Sequence, residues 1–93
     1  MPSFLLDTHV LLWWLVAPER LSRAQARALL ELEPNRPAAI SAISLWELAK
    51  MVERGRLEVA LPLDIWLEEI EAHPLLTILP LTARIAAESI QGD

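Results

Sequence analysis

Two carboxylates in this sequence stand where chemistry is a reasonable first question. Asp7 is the only formal charge in the run FLLDTHVLLWWL (residues 4–15), and Thr8 and His9 follow it directly. Glu47 lies in SLWELAK, flanked by Trp46 and Leu48. Two converging carboxylates suit Mg²⁺ or Mn²⁺, which take hard oxygen ligands and keep several waters. Such ions activate water and stabilise phosphoryl oxygens during hydrolysis of a nucleic-acid backbone. Each residue also has a structural reading. Asp is a preferred helix N-cap, and Asp7 precedes a segment that can be helical. Ser44-Leu45-Trp46-Glu47 fits the S-x-x-E capping box. Glu47 can also pair with Lys50 at i,i+3, worth only ~0.2–0.5 kcal/mol. If Ser41 rather than Ser44 caps that helix, Glu47 falls in its second turn and the box cannot form. On the residues alone both readings stay open.

Other polar residues carry weaker signals. Lys50, Arg54 and Arg56 form a small basic group close to Glu47, a solvated face or a place for a phosphate. His9 stands alone among apolar neighbours and reads as structural. His73, before Pro74, reads as a helix-end residue. Trp13, Trp14, Trp46 and Trp66 read as core or interface; Trp13 and Trp14 cannot both face one core from a helix, which leaves one for a partner surface. No glycine-rich phosphate loop and no nucleophile-plus-base pattern is present.

The elements that must position these residues follow from periodicity and punctuation. Residues 3–6 read as a short buried strand, and residues 10–15 continue as a helix that Pro18 stops. Ser22 is a good N-cap for a helix from 23 to about 33, with Ala24, Ala28, Leu29 and Leu32 as its apolar stripe. Pro34, Asn35 and Pro37 make a loop. Residues 38–41 form a second strand. Ser41 or Ser44 then caps a helix that runs to Arg54, with Leu45, Leu48, Ala49 and Val52 on its core face and Gly55 as its stop. Pro62 opens a helix whose apolar face is Trp66, Leu67 and Ile70, and His73-Pro74 ends it. Residues 75–79 are a third strand, and Thr82 caps a last helix from 83 to about 90. Strands alternating with helices predict an α/β fold with a parallel sheet. Such sheets place ligand sites outside the carboxyl ends of their strands. Asp7 closes the first strand, and Glu47 lies early in the helix after the second, so both carboxylates can share one crevice if those strands are neighbours.

Composition bounds the reading. The 93 residues make one domain at most. The apolar share of 54% exceeds the roughly 45–50% usual for soluble chains and suggests a deeply buried sheet or a partner. Eight basic against 13 acidic residues give a net charge of −5, which excludes broad electrostatic binding to nucleic acid but not a few local contacts. No cysteine is present, in keeping with a cytoplasmic setting. The longest unbroken apolar run, residues 10–17, is far short of the ~20 residues of a membrane span.

Three stretches together carry a family resemblance. FLLDTHVLLWWL, ISAISLWELAKMVERGRL and LTILPLTARIAAES closely resemble, in order and separation, PIN-domain ribonucleases of the VapC toxin type. The resemblance covers nearly the whole chain. It implies a three-layer α/β/α fold around a central parallel sheet, and an endoribonuclease dependent on Mg²⁺ or Mn²⁺. It also implies a VapB-type antitoxin that blocks the site, an RNA substrate, homodimerisation and a cytoplasmic location. By position, Asp7 matches the family's first acidic ligand and Glu47 its second. Thr8 matches a hydroxyl residue beside the first, and Ser41 or Ser44 a further supporting hydroxyl. For an RNA substrate, Lys50 and Arg54 of the basic group near Glu47 are the candidate phosphate contacts. In the family a third acidic position, often with a fourth later, follows the Gly-Asp that is Gly92-Asp93 here; Asp93 matches the residue before that segment and is not a ligand. The expectation is therefore a single PIN-like domain over 1–93, corresponding to its N-terminal two thirds, incomplete at the C-terminus and weak or inactive alone. The alternative expectation is a PIN fragment that does no chemistry and binds a protein, either the antitoxin or another copy of itself.

Overall fold

A computed structural model describes residues 4–80, 82–84 and 87. Its elements are α1 (Thr8–Val16), a 3-10 turn (Pro18–Arg20), α2 (Arg23–Leu30), β1 (Ala38–Ser41), α3 (Ala42–Glu53), α4 (Leu63–Glu71) and β2 (Leu76–Leu79). The fold is mixed α/β, with β1 and β2 paired in parallel, Ala38 opposite Leu76 and Ser41 opposite Leu79.

All four residues of β1 are buried. A parallel strand covered on both faces reads as a continuous small or apolar run, and AAIS is one. The expected strand over 3–6 is reduced to a single parallel bridge, Leu5 to Ala39. Two backbone bonds hold it, Leu6 N–H to the Ala39 carbonyl and Ala39 N–H to the Phe4 carbonyl, both 2.8 Å. β1 is thus flanked on both sides, by the N-terminal segment and by β2. Residue 3 lies outside the described residues. So do residues 85, 86 and 88–90 of the expected last helix.

Helix ends follow local chemistry. α2 begins at the N-cap expected at Ser22, and the structure adds a full capping box: the Ser22 hydroxyl accepts from Gln25 N–H at 3.0 Å, and the Gln25 side chain accepts from Ser22 N–H at 2.9 Å. The helix ends at Leu30, three residues short of the expected 33. Pro34 is the physical reason, since the residue before a proline is driven out of the helical region. A tight turn between Glu33 and Arg36 follows. α4 starts directly after Pro62, as expected.

α3 is capped by Ser41, whose hydroxyl accepts from Ile43 N–H at 3.1 Å. It ends in a Schellman motif around Gly55 at φ +73°. Arg56 N–H reaches the Met51 carbonyl at 2.9 Å and Gly55 N–H the Val52 carbonyl at 3.1 Å, the paired bonds that define that cap. α3 packs on α1, α4 and β1, and α4 packs on β2. The core between them is built from Leu6, Leu11, Leu29, Leu32, Ile40, Leu48, Trp66, Ile70 and Leu76.

Candidate active site

Asp7 has extended backbone (φ −65°, ψ 149°) and caps α1, its Oδ1 accepting from His9 N–H at 2.6 Å. The structural reading of Asp7 therefore holds. Its place in the sheet is independent of that role. Counting two residues on from the Leu5–Ala39 bridge sets Asp7 level with Ser41, which is itself opposite Leu79. Asp7 and Ser41 both stand at the carboxyl ends of neighbouring parallel segments, where a ligand crevice is expected.

Glu47 reaches this end of the sheet through a hydroxyl chain. With Ser41 as cap, Ser44 is the third residue of α3 and Glu47 the sixth. The capping box at Ser44 therefore does not form. Both residues instead turn toward α1. Thr8 Oγ1 donates to Glu47 Oε1 at 3.2 Å and lies 2.8 Å from Ser44 Oγ. A hydroxyl has one proton; with that of Thr8 committed to Glu47, Ser44 is the donor in the second contact. Ser44 to Thr8 to Glu47 is a directed chain. Thr8 is 8% exposed and Ser44 3%, and no buried side-chain polar atom among the described residues is left without a partner. Ser41, in contrast, spends its hydroxyl on the helix cap.

The carboxylates keep free capacity. Asp7 Oδ2 and Glu47 Oε2 make no hydrogen bond among the described residues. This donor set, two carboxylates with hydroxyls behind them, is the hard-oxygen chemistry that suits Mg²⁺ or Mn²⁺. Among the described residues no group of three His, Asp or Glu side chains has metal-binding spacing. The His9 ring lies 3.6 Å from Asp7 Oδ1 through Nδ1, is largely exposed, and leans toward Trp13.

Beside Glu47 a cleft of about 230 Å³ is lined by Trp46, Glu47, Lys50, Met51, Arg54 and Arg56. Lys50 and Arg54 thus share a surface with Glu47. Trp46 departs from the core half of the role read from sequence, though not from the interface half: it is 57% exposed, with Lys50 Nζ 4.3 Å from its ring centroid. The signal was available, because core positions 45, 48, 49 and 52 turn 46 and 50 outward together. Of the paired tryptophans, Trp14 packs on the core and on the His73 ring at 5.1 Å. Trp13 faces the other way, under Arg20 at 5.7 Å. His73 sits just past α4, as expected, and its Nδ1 accepts from Leu75 N–H at 3.0 Å. Burial holds its pKa below the ordinary 6.5.

Comparison with known proteins identifies the family. The PIN domain family model matches residues 4–91. The chain belongs to the PIN-domain family. It is also 36% identical over 90 residues to a protein named Ribonuclease VapC22 from Mycobacterium tuberculosis (strain ATCC 25618 / H37Rv). That match takes in 97% of this chain and 65% of the relative, so the chain spans just under two thirds of the length of the curated protein it resembles. No solved structure matches it significantly. Within this PIN chain, Thr8, the neighbour of the capped Asp7, bonds Ser44 and Glu47 at one end of the sheet. No helix among the described residues is long and apolar enough to cross a membrane.

Proposed function

We propose that this chain is the Asp7–Glu47 portion of a VapC-type toxin, a Mg²⁺- or Mn²⁺-dependent endoribonuclease acting in the cytoplasm. The observation that carries the reading is the contact across 39 positions between Thr8 Oγ1 and Glu47 Oε1, which ties the helix bearing Glu47 to the strand end bearing Asp7. Asp7 Oδ2 and Glu47 Oε2 are the atoms that would hold the ion. When bound, the ion supplies charge stabilisation of phosphoryl oxygens and lowers the pKa of water. Asp7 is held in place by its cap to His9 N–H, and Thr8 fixes the rotamer of Glu47 by donating to its inner oxygen. Ser44 in turn holds Thr8. Lys50 and Arg54, in the cleft beside Glu47, neutralise phosphates of the RNA strand.

A VapB-type antitoxin and a second copy of the chain are the proposed protein partners. Support comes from α1, THVLLWWLV, which is apolar on nearly every side; such a helix needs cover beyond one core. Val16 and Leu30 are exposed on this part of the chain.

The test is cleavage of single-stranded RNA with Mg²⁺ by a full-length toxin that contains this chain, as parent and as Asp7→Asn and Glu47→Gln, beside the 93-residue chain alone, which is expected to cleave weakly or not at all. Each substitution is expected to cost at least about 100-fold, since loss of a metal-holding carboxylate removes most of the charge stabilisation. Cleavage that persists in EDTA, or is unchanged in Asp7→Asn, would refute the proposal.

A further inference from the structure

The cleft on the outer side of Glu47 has a composition that the metal site does not explain. Three of the chain's eight basic residues, Lys50, Arg54 and Arg56, fall within seven positions of a chain whose net charge is −5. All three line the same cleft with Trp46 and Glu47. The Schellman turn at Gly55 returns Arg56 to the end of α3, where Arg54 is already the cap. None of the three makes an ion pair among the described residues. Unneutralised cations gathered in an acidic chain favour an anionic occupant.

Trp46 adds what a bare phosphate does not require. Its indole is the most exposed of the described tryptophans, and Lys50 already holds a cation over its face. Base-on-aromatic stacking beside a cationic track is the common way to hold single-stranded nucleic acid without reading its sequence. A base that takes the ring face moves the Lys50 ammonium toward its own phosphate, a short swing for a flexible stem. Electrostatics also chooses the side. Trp46 borders a second cleft, over Leu45, Ala49 and Leu67, whose rim carries Glu68 and Glu71. Those carboxylates repel a phosphate, and the strand is steered to the Glu47 side.

Resting on the ribonuclease reading of the neighbouring site, we infer that Trp46, Lys50, Arg54 and Arg56 form a nucleotide subsite for single-stranded RNA. A base stacks on Trp46, and its flanking phosphates lie on the three cations. The subsite shares Glu47 with the proposed metal site and so sets which phosphodiester is presented to it. It contributes positioning and affinity but no base-specific contact.

The experiment is metal-free binding of a fluorescein-labelled single-stranded RNA of about ten nucleotides, followed by anisotropy in EDTA. Trp46→Ala is expected to weaken binding roughly 5- to 150-fold, the range of one lost stack, and Trp46→Phe to restore most of it. Lys50→Gln and Arg54→Gln are each expected to lower the slope of log affinity against log salt by about 0.7. Arg23→Gln removes a charge outside the cleft and is expected to leave that slope nearly unchanged. Circular dichroism confirms that the variants fold. RNA binding equal in parent and Trp46→Ala overturns the inference, as does failure of the parent to bind RNA. If Trp46→Ala loses a protein antitoxin while keeping RNA, the cleft belongs to a protein and the inference is again overturned. Because no metal is present, Trp46-dependent binding without Mg²⁺-dependent cleavage would sink the ribonuclease reading and leave the subsite standing. Cleavage with Trp46-independent binding would do the reverse.

Discussion

Thr8→Val is the sharpest test of how the site is held. The substitution keeps the shape of the side chain and removes only the hydroxyl. Two contacts disappear, 2.8 Å to Ser44 Oγ and 3.2 Å to Glu47 Oε1. Ser44 is 3% exposed, and its proton loses its acceptor; a buried polar group so orphaned costs about 1–3 kcal/mol. Glu47 is half-buried, and water can replace the lost donor, so that contact adds about 1 kcal/mol at most. The expected total is about 1–4 kcal/mol, read by urea denaturation. Ser44→Ala added to Thr8→Val removes the orphan, because replacing both partners by apolar groups of similar shape is nearly neutral. The double variant is therefore expected to cost about 1–2 kcal/mol less than the sum of the singles, a coupling well beyond the ~0.3–0.5 kcal/mol scatter of independent sites. Additive costs, or a Thr8→Val cost below about 0.5 kcal/mol, would show that the hydroxyl chain does not hold this end of the sheet. The same variant frees the Glu47 rotamer and is expected to weaken Mn²⁺ binding by titration calorimetry; unchanged binding would separate Thr8 from the metal reading.

Two further outcomes are open to simple measurement. Gly55→Ala puts a side chain at φ +73° with nothing within 4 Å of the new Cβ, so the cost is conformational alone, about 1–2 kcal/mol by denaturation; a loss under about 0.3 kcal/mol would mean the turn relaxes. His73 is held below its ordinary pKa of 6.5 by burial, so the unfolded chain takes up the proton first as pH falls. Its contribution is fully present above about pH 6.5 and is lost as pH drops from there toward the lower folded pKa. Protonation also removes the acceptor that Nδ1 offers to Leu75 N–H. The drop in urea midpoint between about pH 7.5 and 5 is expected to be smaller in His73→Gln than in the parent; an equal drop would clear His73.

The legibility of the fold varied with the range of the interaction that decides each feature. The N-cap at Ser22, the Gly55 stop and the start of α4 after Pro62 involve groups within a few residues of one another, so residue type and order suffice to define them. The short parallel strand AAIS was legible for a related reason: burial on both faces selects a continuous apolar run. The end of α2 was misjudged because an apolar stripe that includes Leu32 outlasts the helix, which Pro34 turns away. The N-terminal strand was overread because residue pattern does not say how many ladder bonds a partner offers.

At the site the division is clearer still. By itself the sequence determined that Asp7 and Glu47 are unusual carboxylates, that Asp7 closes an extended segment, and that three cations follow Glu47. Resemblance carried across the whole chain supplied the family. The sequence did not determine whether Ser41 or Ser44 caps α3, and that choice decides whether Glu47 turns back on its own helix or toward α1. Nor could it foresee Thr8 meeting Ser44 and Glu47 across 36 and 39 positions, or Trp46 lying open in the cleft it shares with Lys50. Those contacts depend on α1 and α3 packing at the carboxyl end of one sheet, and packing between distant segments is a property of the folded chain that local pattern constrains but does not specify.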